Sequence, residues 1–149
     1  MTPTILAAWL VALPVRPCYR AQALPVARVA LRTAKRYELS ARLLGAVACY
    51  ESKGKRSTVN MNSNGSCDVG RWQVNVPGCF PWGRARYASD RRNAGRAARV
   101  LRLGWAVCKR KPGLWYCKAQ RPWCRYNPGS KRWCRNVTMM IRWRARGVI

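Results

Sequence analysis

The segment LLGAVACYESKGKRSTVNMNSNGSCDVGRWQVN, residues 43–75, decides how the chain is read. Its first part has helical periodicity. With Leu39 just upstream, Leu43 and Val47 make one i, i+4 row, and Leu44 and Ala48 make a neighbouring one. The spacing predicts a buried helix over about 38–49, ended by Lys53-Gly54, because glycine is common just past a helix C-terminus. Glu51 therefore falls at the very end of an apolar helix. A polar, turn-rich stretch follows at 57–68 and contains Asn64-Gly65, a strong hairpin-turn signal. Short strands are expected to flank it, with 69–76 as the second.

A carboxyl beside Tyr50 at the end of a buried helix is partly desolvated. Desolvation disfavours the charged form, raises the pKa and leaves a group able to act as a general acid. The competing reading is a surface glutamate at a helix end, where an anion is slightly unfavourable because helix C-termini prefer cations. Asp68 follows the Asn-Gly turn, and a hairpin there can carry it back across a cleft towards Glu51. Two carboxylates facing a glycosidic bond are the usual equipment of glycosidases. Asp68 equally suits accepting hydrogen bonds within its own turn. The choice of catalysts is narrow, since the chain has only four acids, Glu38, Glu51, Asp68 and Asp90, and no histidine. Ser-His-Asp and Cys-His hydrolase chemistry and His-ligated metal sites are thereby excluded.

Outward to the N-terminus, residues 4–15 (TILAAWLVALPV) are almost wholly apolar. The run is too short to span a membrane and suits a signal-peptide h-region. Ala21-Gln22-Ala23 then offers an A-x-A cleavage pattern, although no Lys or Arg precedes the run. The expected division is a signal peptide at 1–23 and one domain at 24–149. The alternative is an N-terminal helix that is not cleaved. Eight cysteines in a small exported chain argue for disulfides. Cleavage after Ala23 removes Cys18 and leaves an odd number. That implies a free thiol, an intermolecular bridge or a different cleavage site. Cys108, Cys117, Cys124 and Cys134 suggest a stapled C-terminal subregion. Zinc held by those four is the rival, but no C-x2-C knuckle is present.

Towards the C-terminus a further helix is expected from Asp90 as N-cap. Ala94, Ala97, Ala98, Leu101 and Trp105 line its inner side, and Arg92, Arg96, Arg99 and Arg102 populate the rest. After Pro112 the chain alternates Trp, Cys and basic residues, and one or two short helices are expected. The whole reads as an α+β chain, mostly helical, with a small β-hairpin insertion and disulfide staples.

Three short motifs now stand in order: Glu51-Ser52, then Gly70-Arg71-Trp72-Gln73-Val74-Asn75, then Tyr126-Asn127-Pro128-Gly129. Together with Asn93-Ala94-Gly95, they resemble the catalytic core of the lysozyme-like soluble lytic transglycosylases over about 39–137. The Asn-rich turn ending in Asp68-Val69-Gly70 resembles the subgroup that serves secretion, conjugation and pilus systems. The resemblance implies a lysozyme-like fold and cleavage of peptidoglycan glycan strands. Glu51 would protonate the glycosidic oxygen between N-acetylmuramic acid and N-acetylglucosamine. It would then act as base on the muramyl 6-hydroxyl, giving a 1,6-anhydro product. Gln73 would hydrogen-bond the substrate, with Asn75 beside it in the same motif and Ser52 just behind Glu51. Tyr126 would position Glu51, and Asn127 would support the cleft. Arg71 and Trp72 replace two aliphatic residues of the family pattern. No metal or other cofactor is implied.

Eight tryptophans fit sugar stacking, and Trp72 and Trp82 are the expected cleft residues; Trp105, Trp115, Trp123, Trp133 and Trp143 read as core or disulfide packing. The charge is the other large feature: 30 Lys and Arg against the four acids give +26. Such a surface seeks polyanions. The expected partners are peptidoglycan, anionic cell-envelope polymers and a secretion or conjugation apparatus, in the periplasm or outside the cell, with no specific nucleic acid. Two rivals remain open. One is a hydrolytic lysozyme using Glu51 and Asp68. The other is a non-catalytic cationic protein acting on the envelope or on nucleic acid, which the Trp and Arg interleaved at 121–145 also suit.

Overall fold

The helix that carries Glu51 spans Ala41–Ser52 in the computed structural model, which describes residues 1–143. The last two positions of the 121–145 stretch and the end of the expected domain lie outside the described residues. The helix starts three residues later than the periodicity predicts. The reason is local. Glu38 adopts a left-handed conformation (φ 51°) that ends the preceding helix, and the Ser40 side chain then caps the new one by accepting the Leu43 N–H. At the far end Lys53 and Gly54 turn left-handed, as expected of that pair.

In chain order the helices are α1 (Pro3–Val11), α2 (Arg20–Tyr37), α3 (Ala41–Ser52), α4 (Pro81–Tyr87), α5 (Asp90–Arg110), α6 (Trp115–Lys118) and α7 (Lys131–Arg142). Strands β1 (Val59–Met61), β2 (Cys67–Val69) and β3 (Val74–Val76) form an antiparallel sheet in that order between α3 and α4. The expected single strand at 69–76 is thus two strands. Gly70 (φ 76°) and Gln73 (φ 47°) reverse the chain between them. The helix expected from Asp90 is present, but Ser89 is its cap, and Asp90 occupies the first turn. Trp105 is 39% exposed; Gly104 faces inward instead. A Cβ on Gly104 would stand 2.0 Å from the Pro122 carbonyl oxygen, so only glycine lets α5 meet the 3-10 turn at Pro122–Tyr126.

The apolar N-terminus is part of this body. Leu6, Trp9 and Leu10 of α1 are buried in the same core as Leu44, Val47, Leu101 and Val137. The contact with α3 is close: a Cβ on Gly45 would meet Leu10 Cδ2 at 2.8 Å. The boundary expected at Ala23 falls inside α2, and residues on both sides of it share one core. Cys18 bridges Cys49, so all eight cysteines are paired; the others join Cys67 to Cys79, Cys108 to Cys117 and Cys124 to Cys134. The last two bridges make the stapled C-terminal subregion that the cysteine spacing suggests. Four disulfides suit an oxidising compartment. Among the described residues no helix is long and apolar enough to cross a membrane.

A chain beginning at Leu24 lacks Leu6, Trp9 and Leu10 and leaves Cys49 without its partner. Each buried large side chain is worth roughly 2–5 kcal/mol against a total stability of about 5–15 kcal/mol. The shortened chain is expected to lose cooperative thermal melting and to show one titratable thiol. Melting at the temperature of the full chain would make residue 23 a true domain edge.

Candidate functional site

Glu51 sits in the last turn of α3, where the ends of the backbone dipoles already oppose a negative charge. Its side chain points into a cleft of about 250 Å³ that also receives Asp68, Gln73, Asn75, Tyr126 and Asn127. Six of the seven residues expected at the site are thus brought together from three separate parts of the chain.

The sheet explains how Asp68 arrives. Asp68 pairs with Asn60 on one side and Asn75 on the other, so three polar side chains form one row across the strands. The alternate residues Cys67, Val69, Val74 and Val76 are buried. Asn75 Nδ2 donates to Asp68 Oδ1 at 3.0 Å, and Asn62 Nδ2 donates to Oδ2 at 3.3 Å. Donors on both oxygens suit an ionised carboxylate, which can only accept.

Glu51 is held differently. Trp133 Nε1 of α7 donates to its Oε1 at 2.5 Å. Its pKa is raised to about 7. Burial is the largest cause; the Trp133 hydrogen bond pulls the other way, the charge of Asp68 adds to the rise, and Arg16 opposes it. Arg16 reaches this end of α3 by donating to the Tyr50 carbonyl at 2.9 Å and lying over the Tyr50 ring. The site therefore contains one carboxyl that is half protonated near neutrality beside a second whose two oxygens both accept hydrogen bonds.

Tyr126 makes no hydrogen bond to Glu51. Its hydroxyl donates to the Trp72 carbonyl, and its ring stacks on Trp133 with centroids 5.5 Å apart and planes 12° from parallel. Tyr50 closes the other side of Trp133 edge-on at 6.2 Å. Burial first, then the nearby carboxylates, push the Tyr126 hydroxyl well above its usual range, so it stays a neutral donor. Tyr126 thus packs on Trp133, which itself bonds the Glu51 carboxyl directly. Trp133, which reading the sequence assigns to packing, is the residue that bonds Glu51. It lies far from Glu51 in the chain, and no spacing rule connects them.

The other motif residues, and the two tryptophans expected in the cleft, take the following places. Ser52 is buried behind the cleft, its hydroxyl 2.8 Å from the Arg71 carbonyl and 3.1 Å from that of Ala48. Gln73 lines the cleft, but its amide is engaged by the protein: Nε2 donates to the Gly70 and Thr58 carbonyls, and Oε1 accepts from Asn60. Trp72 is not a cleft residue. It is fully buried, with Nε1 on the Leu44 carbonyl at 2.9 Å. Trp82 is 66% exposed on α4 and stacks on Phe80 rather than lining the cleft. Arg71 also turns inward, binding Asp90, Gln22 and the Gly54 carbonyl. The turn from Gly70 to Gln73 is clamped once more by Asn93, which accepts the Trp72 N–H and donates to the Val69 carbonyl.

Comparison with protein-family models, with curated proteins and with solved structures finds no match for this chain.

Two measurements test the electrostatics. Following the Glu51 carboxyl by carbon NMR, Asp68→Asn is expected to lower its pKa, because a like charge is removed. Trp133→Phe is expected to raise it, because a hydrogen bond to the anion is lost. Equal titration curves in all three proteins would refute the assigned causes. Stability carries the same signature. The carboxyl pKa rises from 4.5 to about 7 on folding, so the folded state holds the proton more tightly. Stability falls as pH rises from about 4.5 to about 7, by roughly 3 kcal/mol at most. Glu51→Gln should therefore melt higher than the parent at pH about 8, and the difference should shrink by pH about 4. A constant difference across that range would contradict the raised pKa.

Proposed function

We propose that this protein cleaves the glycan strands of peptidoglycan as an exported lytic transglycosylase, with a lysozyme-like arrangement of helices and sheet around the cleft. The observation that carries the reading is the partly buried Glu51 carboxyl, facing an open cleft with Asp68 on the sheet side. A group titrating near 7 delivers a proton to a leaving oxygen and takes one back at the same pH. In this reading Glu51 protonates the oxygen between N-acetylmuramic acid and N-acetylglucosamine. The muramyl 6-hydroxyl then attacks the anomeric carbon as Glu51 removes its proton. The glycosidic bond breaks, an internal acetal forms between the anomeric carbon and the 6-oxygen, and no water is consumed. The ordered motifs at 51–52, 70–75 and 126–129 support the same reading, and each sends at least one residue to the cleft. Four disulfides favour a periplasmic or extracellular site of action.

A second reading has one observation of its own. Asp68 shares the cleft and accepts from Asn62 and Asn75, which suits a second carboxylate in a hydrolytic lysozyme.

Mass spectrometry of purified peptidoglycan digested by the oxidised protein separates these. Anhydro-muropeptides that vanish with Glu51→Gln are the expected result, with a fall of at least about 10²-fold for loss of a general acid. The rate should decline as pH rises through about 7, because the acid form is consumed. Reducing-end products lost with Asp68→Asn would select the hydrolase. No products from folded protein would reject both.

A further inference from the structure

Six arginines, Arg36, Arg86, Arg91, Arg92, Arg96 and Arg99, line one hollow of about 460 Å³ beside α5. A neighbouring hollow of about 340 Å³ shares Arg36, Tyr37 and Arg91 with it and adds Arg32 of α2. Gly95 joins them: a Cβ there would stand 3.3 Å from the Tyr37 hydroxyl. The two hollows make one groove between α2 and α5.

No acid lines either hollow. Glu51 and Asp68 belong to the cleft, Glu38 pairs with Arg102 at 2.7 Å, and Asp90 pairs with Arg71 at 3.0 Å. Among the described residues, none of the seven groove guanidiniums has an ion pair. Packing like charges into a concavity costs self-repulsion, and the same field concentrates anions there. The arginines also repeat. Arg92, Arg96 and Arg99 fall on one face of α5, and Arg32 and Arg36 on one face of α2. At a rise of about 1.5 Å per residue, neighbours in each row stand about 5–6 Å apart. That suits an anion that repeats along a chain. The planar guanidinium fork matches phosphate oxygens two at a time. Arg96 lines the Glu51 cleft as well as the groove, so the two surfaces are continuous.

We propose that the α2–α5 groove binds a phosphodiester-linked polyol- or sugar-phosphate chain of the cell envelope. The groove is read from its own residues; the choice of an envelope polymer rests on the glycan-cleaving reading. Nucleic acid fits less well. Proteins that hold single strands offer free aromatic faces to the bases. Here Tyr37 and Tyr87 are each covered on one face by the adjacent arginine, at 5.9 and 5.8 Å.

The test uses full-length, oxidised Glu51→Gln protein and labelled poly(glycerol phosphate), read by fluorescence anisotropy from about 50 to about 200 mM salt. Arg36→Gln/Arg92→Gln/Arg99→Gln is compared with an equal charge loss elsewhere, Lys109→Gln/Lys111→Gln/Lys118→Gln. The groove variant is expected to bind at least about tenfold more weakly, with the log–log salt slope reduced by about 2–3. The control should lose less than about threefold. Near-UV circular dichroism identical to the parent keeps folding out of the comparison. Equal losses in both variants, absence of binding by the parent, or equal competition by polyglutamate would overturn the site. Stronger competition by an oligothymidylate would assign the groove to nucleic acid instead. The Glu51→Gln background keeps the two proposals apart. Muropeptides from the parent without groove binding would sink only the groove, and groove binding without muropeptides would sink only the cleavage.

Discussion

A carboxyl at the carbonyl end of a buried helix is opposed twice, by the backbone dipoles and by the loss of water. Glu51 occupies that position in α3. It is kept there by one strong hydrogen bond, from Trp133, and by staying protonated up to about pH 7. Much of the tertiary structure serves that bond. The Cys124–Cys134 bridge and the Ser130 cap fix the start of α7. Tyr126 and Tyr50 pack against two sides of the indole. The free energy spent on burying the acid is what raises its proton affinity.

The turn between β2 and β3 is the second fixed point. It delivers two kinds of side chain in opposite directions. Arg71 and Trp72 point into the protein and tie the turn to α2, α3 and α5. Gln73 and Asn75 point to the cleft, and Asp68 is brought level with Asn75 by the strand register. Gly70 is required where the Asn93 amide approaches its backbone; a Cβ there would stand 2.7 Å from Nδ2. A sheet of only nine residues can hold the cleft geometry because these buried polar contacts anchor it.

With four acids in the chain, charge is divided rather than balanced. Two acids serve the cleft. The other two neutralise particular arginines, Arg71 internally and Arg102 at the surface. Among the described residues the only other cation paired with an acid is Arg56, which also reaches Asp90, and the fold gathers seven unpaired arginines into one groove. A surface so charged raises encounter rates with polyanions and makes them depend on salt.

Local pattern was enough to place α3 and its end, the Asn64-Gly65 turn, the arginine-bearing face of α5 and the candidacy of Glu51 and Asp68. Each depends on residues within a turn or two of one another. Residues 4–15 were ambiguous for a physical reason: an apolar run of that length buries equally well in a protein core or in an export signal. Only the contact of Leu10 with Gly45 and the Cys18–Cys49 bridge decide where it lies in this fold. Cysteine pairing, the inward turn of Trp72 and the bond from Trp133 to Glu51 join positions that the chain separates widely. Sequence determined which carboxyls were available and where α3 and α5 lie. Tertiary structure decided which of them lost its water, because desolvation and hydrogen bonding depend on what packs against a group and not on what adjoins it in the chain.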